Sequence, residues 1–172
     1  MVFNLIALVL SALALVSSSY LAMQQKSVQR RANFVPAYMQ MLTELRSTGF
    51  HDHYQYVCTR LQAEHDPELG LSGLPEQARQ AVYDVAYFFQ GFAMLRLTRI
   101  IDDDTMVSMH VRVVRAWDAI APYVEREREI NGTSGLYLLR ILEEYANDAR
   151  RLPPDSVNML IERHRKRWPR RR

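Results

Sequence analysis

For its first 25 residues, MVFNLIALVLSALALVSSSYLAMQQ, the chain carries no charged side chain. Residues 2–23 are almost wholly apolar, small or hydroxyl-bearing. As a helix rising about 1.5 Å per residue they would extend roughly 33 Å, enough to cross a hydrocarbon core of about 30 Å. So long and uniform a run predicts a transmembrane helix over 1–25 rather than a buried helix of a water-soluble core. A cleavable signal peptide is the competing reading. Ser17, Ser18 and Ser19 would admit cleavage, but Met1 to Leu10 lacks the positive segment that such peptides carry. The first basic residues, Lys26, Arg30 and Arg31, directly follow the span. Basic flanks stay on the cytoplasmic side, so the N-terminus is expected outside and the remaining chain in the cytoplasm.

The full length of 172 residues leaves room for one further domain of ordinary size. With 48% hydrophobic and 24% charged residues the composition is globular, and seven prolines and six glycines leave long stretches free for helix. Cys58 is the only cysteine, which excludes an intrachain disulfide and a thiolate zinc cluster. The net charge of +3 conceals a division: the last ten residues, RHRKRWPRRR, hold seven of the 22 basic residues and no acid. The rest carries 15 basic against 19 acidic residues.

Apolar residues recur at helical spacing, and no run alternates cleanly at period two. The expected fold is all-α: one transmembrane anchor (1–25), a basic juxtamembrane linker (26–33), a cytoplasmic bundle of about five or six helices (34–152), and a C-terminal amphipathic helix with a basic tail (153–172). Asn33 is the expected cap of a helix bearing Phe34, Tyr38, Met41 and Leu45, stopped at Thr48 and Gly49. A helix from Phe50 to His65 follows, and DPELGLSGLP breaks the pattern. Pro75 opens what is expected to be the longest and central helix, reaching Ile101. Asp102 or Asp103 would cap the next, with Met106, Met109, Val113, Trp117, Ile120 and Val124 on its apolar side and Asn131 with Gly132 at its end. Thr133 or Ser134 would cap a helix to Arg151 bearing Leu136, Leu139, Leu142 and Tyr145. Val157, Leu160 and Ile161 give the last helix its apolar face.

The stretch RAWDAIAPYVERERE, residues 115–129, puts a tryptophan, a proline and a charge run inside one helix. Pro122 removes a backbone donor, so a kink is expected there. Trp117 and Tyr123 would pack near the bend, and Glu125 to Glu129 would form a solvated, self-paired face. Asp102, Asp103 and Asp104 are adjacent carboxylates that would need help to converge on a cation. His51 and His53 project about 200° apart on a helix, which disfavours a zinc site with His65. Cys58 lacks activating neighbours in sequence. With no Gly-rich phosphate loop, nucleophile elbow or His-Glu zinc motif, neither a metal nor a cofactor is expected.

With these elements placed, residues 82–149 resemble the bacterial domain-of-unknown-function 4760 family. The resemblance rests on the aromatic pair Phe88 and Phe89, then Ile101 and Asp102, then Trp117 with Pro122 and Tyr123, and finally Leu142 and Glu143. It extends over most of residues 1–150 and implies a membrane-anchored helical protein, with no chemistry attached. The Arg-rich ending departs from the family pattern, and the turn before Ile101 lacks the usual glycine.

The expected role is therefore a non-enzymatic, single-pass module of the bacterial inner membrane that interacts with or regulates a larger membrane assembly. The expected partners are membrane lipid and either another protein or a second copy of the chain. In the tail, Arg163, Arg165, Lys166, Arg167, Arg170, Arg171 and Arg172 would meet anionic headgroups, and Trp168 suits an interface. Nucleic-acid phosphates are an alternative partner for the same residues. The alternative class is an enzyme using Asp84, Asp118 or Glu143 in a pocket under the Trp117/Pro122 helix.

Overall fold

The computed structural model describes the backbone of residues 2–167 and the side chains of 11, 13–22, 25, 35, 36 and 38–165. All regular structure among the described residues is helical, as expected. In chain order the α-helices are α1 (Val2–Leu45), α2 (Thr48–Thr59), α3 (Leu61–Glu64), α4 (Glu76–Leu97), α5 (Asp103–Asn131), α6 (Arg140–Arg150) and α7 (Ser156–Arg167). Single 3-10 turns lie at Pro67–Leu69 and Gly132–Ser134. The chain divides into two compact units, Met1–Leu42 and Thr43–Arg172.

In the first unit α1 is unbroken through Pro36, so Asn33 is no cap and residues 26–33 are helical rather than a linker. The expected membrane span, 1–25, falls partly on side chains outside the described residues, as do Lys26, Arg30 and Arg31. Among the described residues no helix is long and apolar enough to cross a membrane. On the described part, Leu13, Leu15, Val16, Tyr20 and Leu21 are each 56–72% exposed. At about 100° per residue these five positions are distributed round the whole helix.

In the second unit Thr48 and Gly49 do not stop a helix; they begin one. The Ser47 hydroxyl accepts the Phe50 N–H at 3.1 Å and caps α2. The expected helix 50–65 breaks at Arg60, whose backbone (φ −119°) departs from helical geometry, and α3 adds one more turn.

α4 ends at Leu97 instead of Ile101, because the chain turns through Arg99 in the left-handed region (φ 57°). A Cβ in that region is strained. Leu97 is consequently exposed. The central position belongs to α5, 29 residues long, which packs against α2, α4, α6 and α7. All six of its expected apolar residues are buried. Phe50 of α2 meets Phe88 at a ring separation of 4.3 Å, and Phe88 meets Phe89 and Phe92 at 5.3 and 5.2 Å, joining α2 to α4 through an aromatic layer.

Asn131 and Gly132 end α5 as expected, with Gly132 at φ 54°. α6 begins only at Arg140, after Leu139 in the left-handed region, so Thr133 and Ser134 cap nothing and lie in a 3-10 turn. Leu136 is exposed while Leu139, Leu142 and Tyr145 are buried. In α7 the expected apolar face is largely open, with Val157 and Ile161 exposed, and the buried residue is Ser156.

Candidate functional site

The proline in the middle of α5 creates a specific need. Residue 122 has no N–H to give to the Asp118 carbonyl one turn earlier. The donor comes from α3: the Gln62 side-chain amide lies 3.1 Å from both the Asp118 and the Ala119 carbonyl oxygens. Next to the proline, the fully buried Tyr123 hydroxyl shares its proton between the Leu61 and His65 carbonyls, at 3.1 and 2.7 Å. These carbonyls bracket the short helix: the Leu61 oxygen also accepts the His65 N–H at 3.0 Å, and the His65 oxygen belongs to the residue that caps it. Pro122 and Tyr123 thus lock the α2–α3 corner onto α5, and Trp117 is 4% exposed beside it. Residues 115–124 form a packed corner.

The charge run that follows is not the solvated face that alternation predicted. Arg126 does pair with Glu129 at 3.0 Å on the surface. Glu127, however, is 9% exposed and accepts the Ser72 backbone N–H and the Asn131 amide, each at 2.8 Å. Burial pushes its carboxyl up, but the Ser72 N–H and the Asn131 amide outweigh it and hold the group below the usual carboxylate range. Gly70, at φ 64°, lies against this carboxylate, where a Cβ would come within 2.7 Å of Glu127 Oε2. Arg128 donates to the Leu138 carbonyl at 2.6 Å and pairs with Glu143 at 2.9 Å, the least exposed ion pair among the described residues. Glu127 and Arg128 are clips for the loops on either side of α5.

The same corner forms one wall of a cleft of about 820 Å³ between α2, α3, α5 and the end of α6. Its apolar lining is Val57, Ala63, Val111, Val114, Ala119, Ala149 and Leu152, of which Ala63 and Val111 are exposed and Val57, Ala119 and Ala149 are buried. Its polar groups are Cys58, Thr59, Gln62, His110, Arg115, Asp118 and Arg150. Arg150 is bound to Asp118 and also to Asn147 at 2.9 Å. Arg115 is exposed and has no ion pair among the described residues. Burial pushes the Cys58 thiol up, against the smaller opposing effects of the Tyr54 hydroxyl and Arg115. The thiol therefore stays protonated near neutral pH, and a nucleophilic thiolate is disfavoured.

A second groove, of about 840 Å³, runs past His53, Tyr56, Arg60, Glu64 and His65. Several of its polar groups are engaged with one another: Arg60 pairs with Glu64 at 2.7 Å, Tyr56 bonds His65 at 3.0 Å, and His53 meets Asp84 at 2.9 Å.

Other expected site residues are dispersed. Asp102 caps α5 by accepting the Thr105 N–H at 3.1 Å, Asp103 pairs with Arg96 at 3.0 Å, and Asp104 takes Arg163 and His164, each at 3.1 Å. Each carboxylate of that triplet has its own structural partner. Among the described residues no cluster suited to a metal ion is found. Of Asp84, Asp118 and Glu143, only Asp118 lines the cleft. In the tail, Arg163 is tied to Asp104 and Arg165 is exposed. The Lys166 and Arg167 side chains, and all of Trp168, Arg170, Arg171 and Arg172, lie outside the described residues.

The profile of the family described as "Domain of unknown function (DUF4760)" matches residues 1–147. The chain belongs to this family. Comparison with curated proteins and with solved structures returns no match. In this member the residues that carried the resemblance hold the fold together: Phe88 and Phe89 the aromatic layer, Asp102 the α5 cap, Trp117, Pro122 and Tyr123 the corner, and Glu143 the buried pair with Arg128. The basic tail lies beyond the matched segment.

Sequence reasoning missed Gln62, Arg115, Glu127, Arg128 and Arg150. Pro122 signalled that a donor for residue 118 was needed, but nothing local in sequence identifies one 56 residues away.

Proposed function

We propose that the protein is a single-pass protein of the bacterial inner membrane whose helical body works on the cytoplasmic side as an interaction or regulatory module. In this reading it is an accessory part of a larger membrane assembly and performs no chemistry of its own. The observation that carries the reading is the exposure of apolar side chains on every side of α1 at 13–21, within a segment that has no charge before Lys26. A helix apolar all round needs either a protein interior or lipid around it. The basic flank at Lys26, Arg30 and Arg31 supports a cytoplasmic body.

The engagement of the carboxylates supports a binding role over catalysis. Asp103, Asp104, Asp118 and Glu143 each face a cation, and the cleft holds a single carboxylate. The tail adds a lipid contact: Arg165, Lys166, Arg167, Trp168, Arg170, Arg171 and Arg172 would meet anionic headgroups, each cation contributing about 1 kcal/mol near the surface. Reporter fusions at the C-terminus test the topology. A fluorescent protein that matures only in the cytoplasm should be active and alkaline phosphatase inactive; the reverse pattern would overturn the proposed orientation.

A further inference from the structure

We propose that the cleft between α2, α3, α5 and the end of α6 binds an amphipathic monoanion: a carboxylate on a compact apolar body. The site goes beyond the interaction role above and does not depend on the anchor.

The size is appropriate, since small-molecule sites commonly occupy about 300–1,000 Å³ and this cleft measures about 820 Å³. The buried part of its lining, Val57, Ala119 and Ala149, is aliphatic and offers an apolar body no hydrogen-bonding side chain. Orientation must then come from the rim. There Arg115 projects from α5 without an ion pair among the described residues, close enough to Cys58 to act on its thiol. Its neighbour Arg150 is neutralised by Asp118, so the two arginines and one carboxylate leave a net single positive charge. A planar guanidinium matches a carboxylate through two parallel N–H donors. Asp118 sets an upper limit on ligand charge, because a dianion would face it across the same cleft. Gln62, whose amide is committed to the α5 carbonyls, fixes one wall.

The test uses full-length protein in lipid nanodiscs and fluorine NMR of 4-fluorophenylacetate, with empty nanodiscs as the blank. Protein should broaden the probe signal, and the neutral 4-fluorophenylacetamide should bind at least tenfold more weakly. Arg115→Gln should lose about tenfold in affinity, the size of one charged hydrogen-bonded contact. Asp118→Asn should bind more tightly than the wild type. Arg115 is exposed, so its variant should retain the wild-type melting temperature. No binding up to about 10 mM, a regime of very weak affinity, would overturn the proposal. So would equal binding of the amide, unchanged affinity in Arg115→Gln, or equally effective displacement by inorganic phosphate.

Discussion

Glu127→Ala removes a carboxylate from a site that sequence would place on the surface. The side chain is 9% exposed and makes two bonds of 2.8 Å, to the Ser72 N–H and the Asn131 amide. Hydrogen bonds to charged groups contribute about 1.5–3 kcal/mol each, and truncation also strands the Ser72 donor. Partial access of water to both donors reduces the sum, so the expected loss is about 2–4 kcal/mol. For a chain of this size that corresponds to a fall in Tm of about 6–12 °C. Glu127→Gln should lose less, since its amide oxygen still accepts from Ser72. The effect depends on pH with a definite sign. The folded carboxyl lies below its ordinary value, so its contribution is present above the unfolded pKa and disappears as pH falls through the folded one. Urea unfolding of the full-length protein in detergent, followed by circular dichroism, should separate wild type and Glu127→Ala at pH 7 and bring them together in strong acid. Equal midpoints at pH 7, or a gap that persists unchanged in acid, would show that the ionised Glu127 carboxylate does not hold the Ser72 loop.

Three other outcomes are expected. Trp117→Ala should cost about 3–5 kcal/mol in the same assay, because a 4%-exposed ring leaves a cavity; a change under 1 kcal/mol would contradict its placement. Arg99→Gly should stabilise by about 1 kcal/mol, since the left-handed residue ending α4 then loses its Cβ strain, and an unchanged Tm would argue against that geometry. In nanodiscs, the tail beyond Arg163 should resist trypsin when the lipid is anionic, and high salt should abolish the protection as the Debye length falls below about 10 Å. Equal protection in neutral lipid would remove the electrostatic contact.

The apolar stripe of α5 was legible because one long helix carries it at six positions from Met106 to Val124, and its ends carry strong local signals in Asp102 and Gly132. α1 and α6 were harder. Pro36 looks like a helix start, yet α1 runs through it without a break. Thr133 and Ser134 look like caps, but Arg128 holds the Leu138 carbonyl and the turn continues to Leu139. The cleft was illegible for a different reason. Gln62, Arg115 and Arg150 come from three helices, and no periodicity reports which long-range neighbours converge. The alternating charges at 125–129 misled because sign alternation says nothing of which residues face a loop.

Membrane anchoring by α1 is decided by extraction of isolated membranes with alkaline carbonate, comparing the full chain with one lacking residues 1–25. The full chain should stay in the membrane pellet and be released only by detergent, while the shortened chain should be recovered in the supernatant with its helical circular dichroism spectrum. Release of the full-length chain by carbonate, or recovery of a mature form already cleaved after the serines at 17–19, would contradict it.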